Sequence, residues 1–303
     1  MVDISKITTE KRNDKTKNID LLEIKDILKL INDEDKYVAI AVENAIDQIA
    51  LVINEVIKVF DKKGRLIYLG AGTSGRIGVL DASECPPTFG VPEDMVIGII
   101  AGGDFALKNA VENAEDLIDE ALADLKRINF NENDILIGIT ASGRTPYVMA
   151  GLSYANSLGA VTSIITTSEH SEGAKLAKFP IEAITGAEVL TGSTRMKSGT
   201  AQKLIANMIT TSAMIKIGKV YENLMVDVQM TNEKLVSRAT KIIMDITDVN
   251  KVMAKSYLDK FGSVKKAIFA IMSNLDSEVE IENILNKNNG NIRLSLNDLK
   301  KGE

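Results

Sequence analysis

Arg65-Leu-Ile-Tyr-Leu69 runs directly into Gly70-Ala71-Gly72-Thr73-Ser74-Gly75-Arg76. Five bulky, mostly apolar residues followed by a glycine-rich turn read as a strand ending beneath a loop that opens a helix. The pattern recurs downstream. Met95–Ile100 (MVIGII) leads into Ala101-Gly102-Gly103, and Asp134–Thr140 (DILIGIT) into Ala141-Ser142-Gly143. Thr162–Thr166 and Phe179–Ile184 give a fourth and a fifth strand. Helical periods lie between them at Phe105–Leu125, Pro146–Leu158 and about 173–178, and a long one follows at Met196–Ile217. Strands apolar on both faces and separated by helices imply a parallel sheet covered on both sides. The fold class is therefore α/β, a three-layer sandwich with a mainly parallel five-stranded sheet, over about residues 38–220.

Outward from this unit the character changes. Residues 1–20 are polar and charged and read as an arm, ordered only where something holds it. From Tyr37 to Phe60 the apolar positions Val42, Ala45, Ile46, Ile49, Val52, Ile53, Val56 and Ile57 recur every three or four residues, one face of a single long helix. Beyond Glu233, Asn250–Phe261, Ser263–Leu275 and Glu278–Asn286 look helical, and two similar strings begin at Gly262 and Gly290. Two copies fall short of a solenoid. The expected division is an arm and helix start at 1–37, a central domain at 38–232, and a small helical domain at 233–303.

Composition excludes several classes. The 36 basic and 42 acidic residues leave a net charge of −6 with no basic run, which argues against a nucleic-acid or membrane partner. Cys85 is the one cysteine and His170 the one histidine, so no disulfide and no histidine-rich metal site is expected. No segment approaches a signal sequence or a membrane span, and a cytoplasmic protein is the expectation.

Ligands of open parallel sheets sit beyond the carboxyl ends of the strands. Three stretches there carry glycine, hydroxyls and a helix start: Gly70–Arg76, Ala141–Pro146 and Leu190–Thr200. Glycine admits a ligand close to the backbone, and free N–H groups at a helix N-terminus favour an anion. Thr145-Pro146 reads as an N-cap and N1 pair, and Arg144 adds a charge. The physical reading is a phosphate site. Gly70–Gly75 also fits the dinucleotide G-x-G-x-x-G, but Glu93 and Asp94 precede the second strand, where the fingerprint needs an acid after it. His170 stands in a polar loop and suits no triad. Proton transfer then falls to carboxylates or a lysine. Glu84 lies in Asp81–Pro87, where Pro86 and Pro87 stiffen the backbone and could aim it at a ligand, though a solvated loop acid fits equally. Glu115, by position alone, reads as a solvated helix face, and Cys85 as a packed thiol.

Gly70–Gly90, Ala141–Tyr147 and Gly192–Lys203 closely resemble the N-acetylmuramic acid 6-phosphate etherases, as do Asn32–Lys36 and Asn223–Asp227. The first and third loops are also similar to sugar-phosphate loops of sugar isomerase (SIS) domains. The resemblance runs from Thr8 to the C-terminal helices and departs most at the lysine-rich Asn13–Asn18. It implies a cytoplasmic carbon–oxygen lyase of cell-wall recycling, a homodimer with its active site near the subunit interface. The reaction it implies turns N-acetylmuramic acid 6-phosphate into N-acetylglucosamine 6-phosphate and D-lactate, with no metal or other cofactor. It places the two catalytic glutamates on Glu84 and Glu115. Substrate contacts fall on Ser142 and Thr145, with Thr73, Ser74, Arg144 and Ser193 beside them, and the C-terminal helices resemble a ubiquitin-associated fold.

The chemistry follows from the substrate. A C3 ether lies β to the carbonyl carbon of the open-chain sugar. Removing the C2 proton therefore expels lactate, and water then adds to the unsaturated aldehyde at C3. Glu84 is assigned the C2 proton and the departing oxygen, and Glu115 the water. An aldose–ketose isomerase and a non-catalytic sugar-phosphate sensor, like the glucokinase regulatory protein, are the competing readings. A single domain copy that retains both acids argues against the sensor.

Overall fold

Leu66, Ile67, Tyr68 and Leu69 have no accessible surface, so the first strand can satisfy its backbone only by pairing on both sides. The computed structural model describes residues 8–228, 230 and 232–302, and in it that strand, β1 (Leu66–Gly70), lies between β2 (Val96–Ile100) and β3 (Ile135–Ile139). β4 (Val161–Thr166) and β5 (Phe179–Glu182) extend the sheet in the order β2-β1-β3-β4-β5, all parallel. Helices cover both faces. The described residues form two compact units, the first made of residues up to 83 with 93–210, the second of 84–92 with residues from 211 on.

In the first unit the expected single helix over 37–60 is two helices, α1 (Ile24–Glu43) and α2 (Ile46–Asp61), broken at Asn44 and Ala45. Val38, Val42, Ile49, Val52 and Val56 are all buried, so the apolar period runs straight across the turn and conceals it. The helix α3 (Gly72–Phe89) follows β1 and carries Glu84 inside it, correcting the loop expected at 81–87. Pro86 and Pro87 sit near its end, where they lack the N–H groups that would continue the ladder, and Gly90 closes it at φ +63°.

The helix expected at 105–125 is also a correction. It divides into α4 (Phe105–Lys108), a 3-10 turn at Ala114–Asp116 and α5 (Ile118–Arg127). Arg76 explains the break. Its guanidinium donates to the carbonyls of Ala106 (2.7 Å), Leu107 (3.0 Å) and Asn109 (3.0 Å), removing acceptors a continuing helix would use. Asn109 turns extended and Asn113 left-handed. Past β3 come α6 (Pro146–Ser157), α7 (Glu172–Leu176) and the long α8 (Lys197–Lys216). Leu69, Leu125, Leu136, Tyr147, Val148 and Leu152 form the core beneath α5 and α6.

Something does hold the arm. Residues 8–21 make three short 3-10 turns, while residues 1–7 of the expected arm lie outside the described residues. Thr16 donates to the carbonyl of Val189 (2.8 Å), and the carbonyl of Thr9 accepts from the amide of Gly192 (3.2 Å). Glu34 on α1 gathers Asn13 (2.8 Å), Lys15 (2.9 Å) and the Lys197 ammonium (2.8 Å) around one carboxylate. Both Glu34 and Lys197 are buried. Burial alone would push the Glu34 carboxyl up, but hydrogen bonds from Lys15, Lys197 and Asn13 outweigh it and hold it at about 2 against an ordinary 4.5.

The second unit is a helical bundle: α9 (Glu233–Thr247), α10 (Lys251–Phe261), α11 (Val264–Ser273), α12 (Glu278–Lys287) and α13 (Ile292–Gly302). A short hairpin, β6 (Val220–Tyr221) with β7 (Leu224–Met225), precedes it. Asn232, Asn250, Ser263 and Ser277 cap their helices with side-chain oxygens. The two similar strings are each a left-handed glycine, Gly262 or Gly290, followed by a capping residue, Ser263 or Asn291. Asp227 binds Lys265 (2.7 Å) and Lys219 (3.1 Å), and its carbonyl lies where a Cβ on Gly90 would come within 2.2 Å.

Replacing Glu34 with Gln leaves a buried ammonium without its counter-charge, and denaturant unfolding should show a loss of about 3–5 kcal/mol. Because the folded carboxyl titrates below the unfolded one, wild-type stability should be full above pH 4.5 and fall as pH drops toward about 2. That acid limb should shrink in the variant.

Candidate sugar-phosphate site at the carboxyl edge of the sheet

From β1 the chain crosses to β2 on one side and then returns to β3 on the other, so the connections leaving β1 and β3 diverge. A crevice at the carboxyl ends of those two strands is where this topology binds ligands. Both expected loops stand there. In the first, Gly70 and Gly75 are so close that a Cβ on Gly70 would lie 2.7 Å from the Gly75 nitrogen. Thr73 and Ser74 occupy the first turn of α3. Ser74 Oγ donates to Gln202 Oε1 of α8 at 2.9 Å.

In the second loop the Ala141 carbonyl is the anchor. It accepts from the hydroxyls of Thr166 (3.1 Å), Thr167 (3.2 Å) and Ser168 (3.1 Å) at the end of β4. Gly143, at φ +67°, packs where a Cβ would meet Ser171 Oγ at 2.2 Å. Ser142 Oγ accepts from the Arg144 amide (3.3 Å). Thr145 stands at the N-cap of α6 with Pro146 after it, but its hydroxyl pairs with Thr140 Oγ1 (2.7 Å) and makes no capping bond. The start of α6 is thus uncapped by the Thr145 side chain. Arg144 reaches to 3.9 Å from Glu172 and lines a groove of about 670 Å³ with Met149 and Tyr154.

The third loop differs. Ser193 sits in a tight turn, its amide on the Leu190 carbonyl (2.9 Å). The start of α8 is not free: the fully buried Glu188 accepts from the amides of Lys197 and Ser198, both at 2.9 Å. A carboxylate of the chain itself occupies the place where sequence reasoning put an anion. Glu188 precedes the loop, outside the stretches singled out from the sequence, and the pairing of Glu34 with Lys197 was equally invisible.

Glu115 is exposed on the 3-10 turn at Ala114–Asp116, not on a helix face. It lines a cavity of about 260 Å³ together with Gly72, Ala71, Ala101, Asn109 and Arg76. The structure therefore brings Glu115 to the first loop. Arg76, tied to three carbonyls, shapes that cavity by holding its wall. Glu84 is exposed on α3 and belongs to the second unit. Cys85 beside it is buried, as a packed thiol would be.

A model of the glucokinase regulatory protein N-terminal SIS domain matches residues 48–156. An N-acetylmuramic acid 6-phosphate etherase of Actinobacillus pleuropneumoniae serotype 5b (strain L20) is 51% identical over 97% of this chain and 96% of its own. The Clostridium botulinum (strain Loch Maree / Type A3) protein of that name is 53% identical over 96% of each. The one from Bacillus cereus (strain AH187) is 56% identical over 89% of this chain and 92% of its own. Among solved structures, a phosphoheptose isomerase from Francisella tularensis superposes with a TM-score of 0.52 at 20% identity, over 64% of this chain and 100% of that one. That likeness is one of fold.

Removing the guanidinium in Arg76→Ala frees three carbonyls at the end of α4. Hydrogen exchange measured by mass spectrometry should quicken through residues 105–116 by about ten-fold or more, while β1 and β3 stay protected.

Proposed function

The chain belongs to the family of N-acetylmuramic acid 6-phosphate etherases, and on that premise we propose that Glu84 and Glu115 carry its carbon–oxygen lyase chemistry on a sugar phosphate held at the ends of β1 and β3. The reaction is that of cell-wall amino-sugar recycling: the D-lactyl ether of N-acetylmuramic acid 6-phosphate is cleaved to N-acetylglucosamine 6-phosphate and D-lactate. The observation that supports the siting most is the cavity in which Glu115 meets Gly72 of the first loop.

Amides at the starts of α3 and α6, with the hydroxyls of Thr73, Ser74, Ser142 and Thr145, receive the 6-phosphate as neutral donors. Arg144 and Ser193 complete the set of contacts. With the phosphate held, the open-chain sugar presents C2 and C3 to the two acids. Glu84 takes the C2 proton, electrons move to the C1 carbonyl, and the enolate expels the C3 oxygen as lactate, which Glu84 protonates. Glu115 then deprotonates a water that adds to C3 of the unsaturated aldehyde, and protonation at C2 completes the product. No cofactor enters the scheme.

We further propose a homodimer in the cytoplasm. Leu21, Ile24 and Leu28, at and just before the start of α1, are 77%, 75% and 61% exposed. An uncovered stripe of this kind is what a second copy would bury. Cys85, the one cysteine of the sequence, suits a reducing compartment.

Lactate release from N-acetylmuramic acid 6-phosphate in ¹⁸O-water tests the assignment. Wild type should place ¹⁸O on C3. Glu84→Gln should lose turnover by roughly 10²–10⁴-fold. Glu115→Gln should release lactate while the unsaturated aldehyde accumulates. Near-full turnover in Glu84→Gln would overturn its role, and tight sugar-phosphate binding without lactate would favour the sensor. Sedimentation equilibrium should give twice the 32.9 kDa chain, falling toward one chain in Ile24→Asp/Leu28→Asp.

A further inference from the structure

Gln202 on α8 is buried, its side chain only 1% exposed, and one end of its amide is used while the other is not. Oε1 accepts the Ser74 hydroxyl at 2.9 Å. Nε2, buried as well, has no hydrogen-bond partner among the described residues. Buried donors are almost always paired, and an orphaned N–H is rarer and costlier than an under-used carbonyl. The orphan is within one side-chain amide of Ser74, in the first turn of the helix that opens the candidate phosphate loop. Gly199, one turn earlier on α8, lies against Thr73, where a Cβ would be 3.4 Å from Thr73 Cγ2, so the two helices are in close register here.

We propose that Gln202 is a positioning residue that sets the direction of the Ser74 proton, and through it the recognition of the substrate phosphate. The inference rests on the reading of Ser74 as a phosphate contact. The two ends of a glutamine amide are nearly isosteric, so a half-turn exchanges acceptor for donor in the same space. In the arrangement described above, Ser74 gives its proton inward to Oε1 and can offer an anion only lone pairs. After the half-turn, Nε2 donates to Ser74 Oγ, which frees the hydroxyl proton to point out to a phosphate oxygen. That exchange pairs the orphaned donor and leaves a carbonyl in its place. An anion at the loop supplies the acceptor that makes the second arrangement the stable one. A residue able only to accept, or to do neither, cannot make the exchange.

The test compares Gln202→Glu, Gln202→Leu, Ser74→Ala and the double variant Ser74→Ala/Gln202→Leu. Inorganic phosphate serves as competitive inhibitor, with melting temperature followed in parallel. Gln202→Leu and Gln202→Glu should each raise the phosphate inhibition constant and the KM for the phosphorylated sugar about ten-fold, with a much smaller change in kcat. The double variant should bind phosphate no worse than Ser74→Ala, since both changes act through one hydroxyl. A merely structural role would lower the melting temperature and leave the phosphate constant alone. If Gln202→Leu does not fold, Gln202→Glu carries the same comparison. Phosphate binding unchanged in a folded Gln202 variant, with Ser74→Ala weakened, overturns the inference. Phosphate binding unchanged in Ser74→Ala overturns the reading of Ser74 beneath it.

Discussion

Two buried carboxylates meet at the start of α8, and the geometry of the carboxyl edge depends on them. Glu188 takes the first amides of the helix, and Glu34 takes the ammonium of its first residue, Lys197. With its end fixed, α8 presents a row of contacts to the sheet and to α3. Ser198 meets Thr167, Gln202 meets Ser74, the Ala206 carbonyl meets Tyr68, and Asn207 and Thr210 meet the buried Asp81. Thr167 in turn holds the Ala141 carbonyl. The first and second loops are therefore both referred to one helix, and that helix to two acids.

This arrangement bears on how an anion is received. Thr145 leaves the start of α6 without a side-chain cap, whereas the start of α8 is filled from within, so the negative charge that α8 would attract is already present as Glu188. Arg76 gives its donors to backbone carbonyls. Of the groups proposed to receive the phosphate, Arg144 alone carries a positive charge, and the rest are amides and hydroxyls. Neutral, fixed donors bind a dianion through direction more than through net charge, which suits a chain that is acidic as a whole.

The parallel sheet was legible because its strands are buried on both faces, and an unbroken apolar run such as Ile135–Ile139 admits few other readings. The glycine loops were legible for a related reason, since Gly70 and Gly143 stand where a Cβ would collide. Features that pair distant residues were not. The break at Asn44–Ala45 hides under a continuous apolar period. The break after Lys108 is imposed by Arg76, some thirty residues earlier. The α9 helix falls in the expected helical domain, though its apolar period over Leu235–Ile246 was not singled out, and the hairpin at 220–225 has strands of two residues, too short to show a period. Of the candidate site, the hydroxyls and both glutamates could be named from motifs. Glu34 and Gln202 also stand in motif stretches, at Asn32–Lys36 and Gly192–Lys203, but what they do could not be read, because a buried polar residue shows its role only once its partner, here Lys197 or Ser74, is known.

The bond between Glu34 and Lys197 joins residues 163 positions apart. On a ribosome adding about 5–20 residues each second, α1 emerges roughly ten to thirty seconds before the lysine that completes it. Throughout that interval Glu34 has Asn13 and Lys15 for partners but lacks the buried ammonium that completes its site. The full set of bonds on Glu34 therefore forms only after α8 has been made, so the last-made helix of the sheet domain is the one that completes a buried charge cluster begun by Asn13 and Lys15 of the arm.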